Sequence, residues 1–466
     1  MSIAEATPDL EQGERDDRAF LGHPKGLGYL GFAEACERFS YYSMQTLLVL
    51  YMVNYLLVPG RMENVVGLDW LNAHVYPGLS GQPLASAIFG TYTALVYATP
   101  ILGGIIADKW LGRDATLIVG GVLMAIGHFL MAIEPAFLLA LLALLLGVGA
   151  FKGNIATQVG ALYGPNDLRR AMAFQIFYIF INVSVIAAPL VSGTLGQEVG
   201  WHYGFGCAGV VMVIGLVIYM VGRRHLPSES RPVRGEQRPR DPLSRDDWIS
   251  VATLLVLIPV LAIALLTNQE IFNAYLVWGD QQFNLTFMGT TLPSSWLITL
   301  DATLSFSMLV AVAAFWKWWG TRRREPDEVS KMIIGSLFTM AGGMCLFMAA
   351  LTQPEGGKIG IFWPFLFHFL NSLGFAHILP ISLALFSKVS PRQITATVIG
   401  LYYLSFFLAN AIVGWVGGLY SSLPTTTFWL LHVASAAFGL IAFVIFKIAV
   451  GKRMESTAAD QAAALS

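Results

Sequence analysis

Apolar residues run along this chain in long blocks, without the alternation of a half-buried strand or the narrow stripe of a soluble helix. Twelve blocks stand out, at approximately 27–57, 84–107, 115–133, 136–162, 171–195, 203–221, 249–277, 295–315, 332–351, 359–386, 395–420 and 427–448. A hydrocarbon core about 30 Å thick takes roughly 20 apolar residues per helix. No open backbone survives in lipid, so each block must be helical. The pattern predicts an all-α integral membrane protein with twelve transmembrane helices in two six-helix bundles. The longest polar stretch, Pro227 to Asp247, is rich in Arg, Pro, Ser and Asp and divides the halves. The expected domains are a cytoplasmic N-terminal tail (1–24), a first bundle (25–226), a linker (227–247), a second bundle (248–450) and a cytoplasmic C-terminal tail (451–466). Paired repeats with a site between them near the bilayer midplane are a common transporter plan.

Composition agrees. The 466 residues are 56% hydrophobic and 12% charged, about half the roughly 25% charged residues of a globular chain. A soluble domain array, a disordered chain and a nucleic-acid binder acting by bulk charge are excluded. Cys36, Cys207 and Cys345 offer neither a disulfide framework nor a zinc spacing and read as packing residues. Cytoplasmic loops retain Lys and Arg. With both termini inside, 24 of the 28 basic residues fall in inner segments; Arg61 and Lys358 lie outside, and Arg38 and Lys152 lie within helices. The polar start of the chain and the length of the first apolar block argue against a cleaved signal peptide.

Charges inside the membrane are costly and mark function. They are Glu34, Glu37 and Arg38 in helix one, Lys152 in helix four, Glu270 in helix seven and Asp301 in helix eight. Glu34, Glu37, Arg38, Tyr41 and Gln45 follow i, i+3, i+4, i+7, i+11 spacing, one face of a helix. Two acids beside one arginine suit proton exchange, because burial raises a carboxyl pKa and a guanidinium lowers it. The plainer reading is a static buried ion pair. Lys152 lies among small residues, Gly147 to Gly153, and needs an anionic partner, either a substrate carboxylate or a helix-one glutamate.

These residues carry a resemblance. Glu34-Ala35-Cys36-Glu37-Arg38-Phe39-Ser40-Tyr41-Tyr42 resembles the helix-one signature of the proton-coupled oligopeptide transporter family, in the major facilitator superfamily. The segment Gly103 to Arg113, with Asp108, is similar to that family's loop between helices two and three. Phe151-Lys152-Gly153-Asn154 resembles its helix-four element, and Phe174 to Ser184 its helix-five signature. The resemblance implies a major facilitator fold and proton-driven import of di- and tripeptides by alternating access. It implies a bacterial inner-membrane location, a monomer, no nucleic-acid partner, and no cofactor beyond protons as the coupling ion. By position, Glu34, Glu37, Arg38 and Lys152 would carry coupling. Tyr41, Gln45, Tyr97, Lys152, Asn182, Gln269, Glu270 and Asp301 would line the substrate site, with Asp108 and Arg113 in the loop motif.

The second half departs from the family pattern. Gln45 and Gln269 stand where an arginine and a helix-seven acid are expected, and Phe375 where a helix-ten acid would hold a peptide amino terminus. Asp301 replaces an asparagine. A buried ammonium needs an anion, so Asp301, or else Glu270, is expected to receive it. Glu270 could instead cap or pair locally, and His377 could titrate near neutral pH or simply pack. The linker is too short for the two additional helices some bacterial members carry. Three other signals fail. Gly26-Leu27-Gly28-Tyr29-Leu30-Gly31 has no preceding strand or later acidic partner for a dinucleotide fold. Gly78-Leu79-Ser80-Gly81 lies in an outer loop, where no lipid-buried protease dyad could form. Asn284-Leu285-Thr286 is a glycosylation-type triplet in an outside loop, yet the absence of long outside loops and of a signal peptide fits a bacterial inner membrane better. A transporter is expected, not an enzyme; a carrier of nitrate or a peptide-like metabolite on the same fold is the alternative.

Overall fold

The structure is a computed structural model that describes residues 17–164, 167–227, 243–391 and 393–463. Most of the expected linker, at 228–242, and residues 1–16 and 464–466 of the tails lie outside the described residues. Helices dominate: α1 (Lys25–Tyr51), α2 (Gly81–Ile106), α3 (Arg113–Leu130), α4 (Phe137–Ala161), α5 (Arg169–Ala188), α6 (Trp201–Gly222), α7 (Arg245–Ala264), α8 (Trp296–Gly320), α9 (Glu328–Leu351), α10 (Phe362–Val389), α11 (Thr395–Tyr402 and Leu404–Gly418) and α12 (Thr425–Ala463). Among the described residues, eleven helices are long and apolar enough to cross a bilayer. The remaining one, α1, has the length at 27 residues and continues directly through the wide π turn Met52–Leu56; its polar stripe makes it less apolar. The twelve-helix expectation holds.

Sequence explains many of the ends. Pro24 precedes α1, where its fixed φ suits the approach to a first turn. Ser244 and Asp247 form a reciprocal capping box on α7, and Asp327 caps α9 through the Ser330 amide. Gly112, at φ +79°, lets α2 stop and α3 begin without a loop, a backbone state that would strain a larger residue. Outside the long helices, the loop after α1 holds the short helix Leu68–His74, and a hairpin pairs Thr286–Phe287 with Thr290–Thr291.

The described residues form two compact units. One contains the chain up to Val75 and from Ala98 to the linker; the other contains Tyr76–Tyr97 and the chain after the linker. In the first unit small residues set the packing. A Cβ built on Gly103 would lie 2.0 Å from the Gly149 carbonyl oxygen, so α2 and α4 touch backbone to backbone, and Gly120 faces the Gly147 carbonyl in the same way. In the second unit the first part of α2 meets α11 at Gly90, where an added Cβ would lie 2.2 Å from the Gly414 Cα. The apolar core of this unit gathers Leu254, Leu257 and Leu261 of α7 with Phe386 of α10, Tyr402 of α11 and Phe443 of α12.

Helix seven differs from the single span its apolar block predicts. After α7 the chain breaks at Leu265, resumes as Leu266–Gln269, tightens through Glu270–Phe272, breaks again at Asn273 (φ −120°, ψ −113°) and finishes as Ala274–Gln282. The second break is held by side chains. Glu270 Oε1 accepts from the Ala274 amide at 3.1 Å, and the Asn273 amide group donates to the Val413 carbonyl and accepts from Ser86 Oγ. These bonds replace the backbone partners that the interruption removes.

Candidate functional site

The α1 stripe lies inside the first unit. Glu37 is fully buried, and Glu34, Arg38, Tyr41 and Gln45 are nearly so. Arg38 Nη2 donates to Glu37 Oε1 at 2.6 Å, and its Nε donates to Glu37 Oε2, a two-pronged contact. The same Nε lies 3.2 Å from Glu34 Oε1, and the guanidinium carbon sits 5.2 Å from the centre of the Tyr41 ring. Lys152 of α4 interacts electrostatically with Glu34, Glu37 and Arg38. Two carboxylates, a guanidinium and an ammonium thus balance at zero charge when all are ionised. The two acids are not equivalent: both Glu37 oxygens are engaged, whereas the buried Glu34 Oε2 accepts no hydrogen bond.

Other expected residues of this unit are more dispersed. The Asn182 side-chain amide donates to the Tyr178 carbonyl one turn earlier on α5, at 2.8 Å. Asp108 and Arg113 stand 3.9 Å apart, and both are largely exposed. The neighbouring Asp114, which the sequence did not single out, is the better connected acid. Its Oδ1 accepts from Gln158 at 2.6 Å and from the Tyr219 hydroxyl at 3.0 Å, and its Oδ2 lies 3.1 Å from Arg223 Nε. It ties α3 to α4 and α6.

In the second unit Gln269 is buried and accepts from Asn410 at 3.3 Å. Glu270 is fully buried. Besides capping Ala274 it faces His432 of α12 at 3.6 Å from Oε2 to Nε2, beyond hydrogen-bond distance, so of its two expected local roles the structure shows the cap. Tyr97 is half-buried and stacks on Phe406 with centroids 5.0 Å apart. Phe375, at the position of the absent helix-ten acid, packs against the apolar core. His377 is fully spoken for: Nδ1 donates to the Leu373 carbonyl at 2.8 Å and Nε2 accepts from the Trp316 indole at 3.1 Å. Asp301 Oδ1 lies 3.0 Å from Nδ1 of His368, whose Nε2 is 2.8 Å from the Tyr275 hydroxyl. His368 and Tyr275 were not singled out in the sequence. A histidine within an apolar helix looks alike whether it packs or bridges, and only the convergence of α8, α10 and the segment after Asn273 distinguishes the two.

Comparison with known proteins agrees with this architecture. A family profile described as the POT family matches residues 114–236, the stretch from α3 to the linker. The transporter YclF of Bacillus subtilis is 28% identical over 92% of this chain and 93% of its own length. The peptide transporter YePEPT of Yersinia enterocolitica is 28% identical over 86% of this chain and 89% of its own. The di-/tripeptide transporter of Lactococcus lactis subsp. cremoris is 26% identical over 93% and 97%. Among solved structures, a peptide transporter POT in complex with sulfate superposes with a TM-score of 0.81 at 25% identity, covering 96% of this chain and 99% of that one. A mutant of it in complex with alafosfalin gives 0.80 at 26% identity. Together with the helix-one signature and the twelve-helix fold, these likenesses make the chain similar along nearly its whole length to multi-pass membrane transporters of the POT family.

Proposed function

We propose that this protein imports di- and tripeptides together with protons, moving down the proton gradient by alternating access. The observation that carries the coupling half of the reading is the buried cluster on α1. Glu34 is held to Arg38 through one oxygen while the other has no hydrogen-bond partner, so a proton can settle there without breaking the Glu37–Arg38 contact. Protonation removes the negative charge that balances Lys152 and Arg38, leaving a net positive cluster that favours an anionic group. A peptide carboxylate is such a group, and Lys152 is the cation to receive it. By the positions the resemblance gives, Tyr41, Gln45, Asn182, Tyr97 and Gln269 would supply polar contacts. For the peptide ammonium, Asp301 is preferred over Glu270: Asp301 is 9% exposed and Glu270 fully enclosed. A Cβ on Gly417 would fall 2.7 Å from Glu270 Oε1, so no ligand group reaches it from that side.

The peptide substrate rests on the relatives' chemistry, and the cell-membrane location with both termini inside rests on the loop charges. The chain would act as a monomer, without a cofactor and without catalysing a reaction. The test is uptake of a labelled dipeptide into liposomes carrying the pure protein, with and without an inward proton gradient. Gradient-stimulated accumulation supports the reading. Indifference to di- and tripeptides under every gradient would assign the protein to another small solute such as nitrate or a peptide-like metabolite.

A further inference from the structure

The imidazole of His368 is fully buried and bridges two oxygen atoms on different elements, Asp301 Oδ1 at 3.0 Å and the Tyr275 hydroxyl at 2.8 Å. Tyr275 is equally buried and is walled by Phe367, Phe283 and Trp429, with ring centroids 5.0, 5.7 and 6.2 Å away. Asp301, 9% exposed, is the member of the three with accessible surface. We propose that Asp301, His368 and Tyr275 form a proton-binding site in the second unit, and that its proton and a substrate ammonium exclude one another at Asp301. The exclusion rests on the peptide reading above; the proton site itself does not.

With His368 neutral, Nδ1–H donates to the Asp301 carboxylate and Nε2 accepts the Tyr275 O–H. Every polar atom of the bridge is satisfied, but the cluster carries one buried negative charge. Adding a proton forms an N–H bond at Nε2. The Tyr275 hydroxyl rotates from donor to acceptor and its own hydrogen gives up Nε2 as acceptor, the one hydrogen bond exchanged for the loss of the buried charge. A net charge is costly in an apolar surround, and either this proton or another cation at Asp301 would cancel it. A substrate ammonium is such a cation. With it in place, a protonated imidazole beside it would be a second positive charge on one carboxylate, and the proton leaves.

Other titratable groups stand near. Glu270 accepts from the amide of Ala274, the residue before Tyr275, and faces His432, while the Trp429 ring lies 5.1 Å from that of His432 and 6.2 Å from that of Tyr275. On α9, which packs along α10, the charges Glu328 and Lys331 lie in the first turn, and Cys345 is the only titratable side chain further along. On α8 and α10, Ser305 and Ser372 bond each other at 3.0 Å, and the buried, uncharged Asn371 lies one turn from His368.

The site is tested on the full-length protein in lipid nanodiscs. Proton uptake between pH 8 and pH 5, read with a pH-sensitive dye and no substrate, should exceed that of His368→Gln by about one proton per molecule. Asp301→Asn, which can still accept from Nδ1–H, should lose the same proton, so the result does not depend on one variant folding. In the second arm, the affinity of a dipeptide for the native protein relative to that for His368→Gln should fall by up to about tenfold per pH unit on acidification through the site's titration, a ratio from which the opposite gain expected at Glu34 cancels. The same ratio for an N-acetylated dipeptide should not change with pH. Equal proton uptake in the native protein and both variants overturns the site. Unequal uptake with an unchanged pH dependence of dipeptide affinity overturns the exclusion. If no dipeptide binds at any pH, the peptide reading and the exclusion fail together, while the proton count still decides the site.

Discussion

Replacing each helix-one glutamate by glutamine should separate the proton carrier from the anchor. Glu37 accepts two charge-assisted hydrogen bonds from Arg38, and Glu34 faces the same guanidinium through one contact of 3.2 Å. Truncating one partner of a buried, fully engaged ion pair costs about 3–5 kcal/mol, because the other charge is left behind. A single hydrogen bond to a charged group is worth about 1.5–3 kcal/mol, and a glutamine can still offer Arg38 its carbonyl oxygen, so Glu34→Gln should lie at the bottom of that range. For a cooperative unit of this size each kcal/mol shifts the midpoint by about 2–4 °C. The expected drops are therefore about 10 °C for Glu37→Gln and about 3 °C for Glu34→Gln, read by thermal unfolding in detergent. Transport should split the same way. Glu34→Gln should keep exchange of labelled for unlabelled dipeptide across liposomes at equal pH and lose accumulation driven by a proton gradient. Glu37→Gln, with Arg38 released from its anchor, should lose both. Normal gradient-driven accumulation in Glu34→Gln, or equal stability of the two variants, would refute the division of labour.

Further outcomes follow from other contacts. Asp327 is pulled down to about 2: burial works against ionisation, but hydrogen bonds from Lys447, the Ser330 hydroxyl and the Ser330 amide outweigh it. A depressed carboxyl contributes stability above its unfolded pKa of about 3.9 that is lost as pH falls toward the folded value, so the melting temperature should decline between about pH 4 and pH 2 less steeply in Asp327→Asn. Asp114→Ala should cost about 1–3 kcal/mol by leaving Gln158 and Tyr219 short of an acceptor, measured as a lower unfolding midpoint; an unchanged midpoint would deny it the linking role between α3, α4 and α6. Gly90→Leu cannot fit against Gly414, so a cysteine placed at Ser86 should become reactive to a membrane-impermeant maleimide in that background. Continued protection of that cysteine would show that α2 and α11 do not meet there in the membrane.

The parts of this molecule that were legible in the sequence are those in which one helix carries the whole signal. The twelve spans, and the stripe from Glu34 to Gln45, follow from the price lipid sets on polar groups, and the structure buries that stripe on one face of α1. What was not legible depends on several helices meeting. The break at Asn273 has no proline to announce it, whereas Pro259, Pro100 and Pro380 sit inside helices that continue. The break is made by Glu270 and by bonds from Ser86 and to Val413, distant in sequence. His377 drew notice because it lies near the vacated helix-ten position, yet both its ring nitrogens are satisfied within α10 and by Trp316. His368, nine residues earlier, bridges two other elements, and no local pattern separates it from a packing residue.

The glycine contact between α2 and α11 also bears on leakage. A carrier that harvests a proton gradient must not short-circuit it, and protons cross a membrane readily along any unbroken file of water. Such a file needs room for a probe of about 1.4 Å radius at every step. Where Gly90 meets Gly414 there is not room even for a methyl group. A seal made of side chains would open transiently whenever a rotamer flipped, on the fast timescale of side-chain motion. A seal made of backbone has no rotamers, so at this contact it opens only when a whole helix moves, on the slower timescale of such motions.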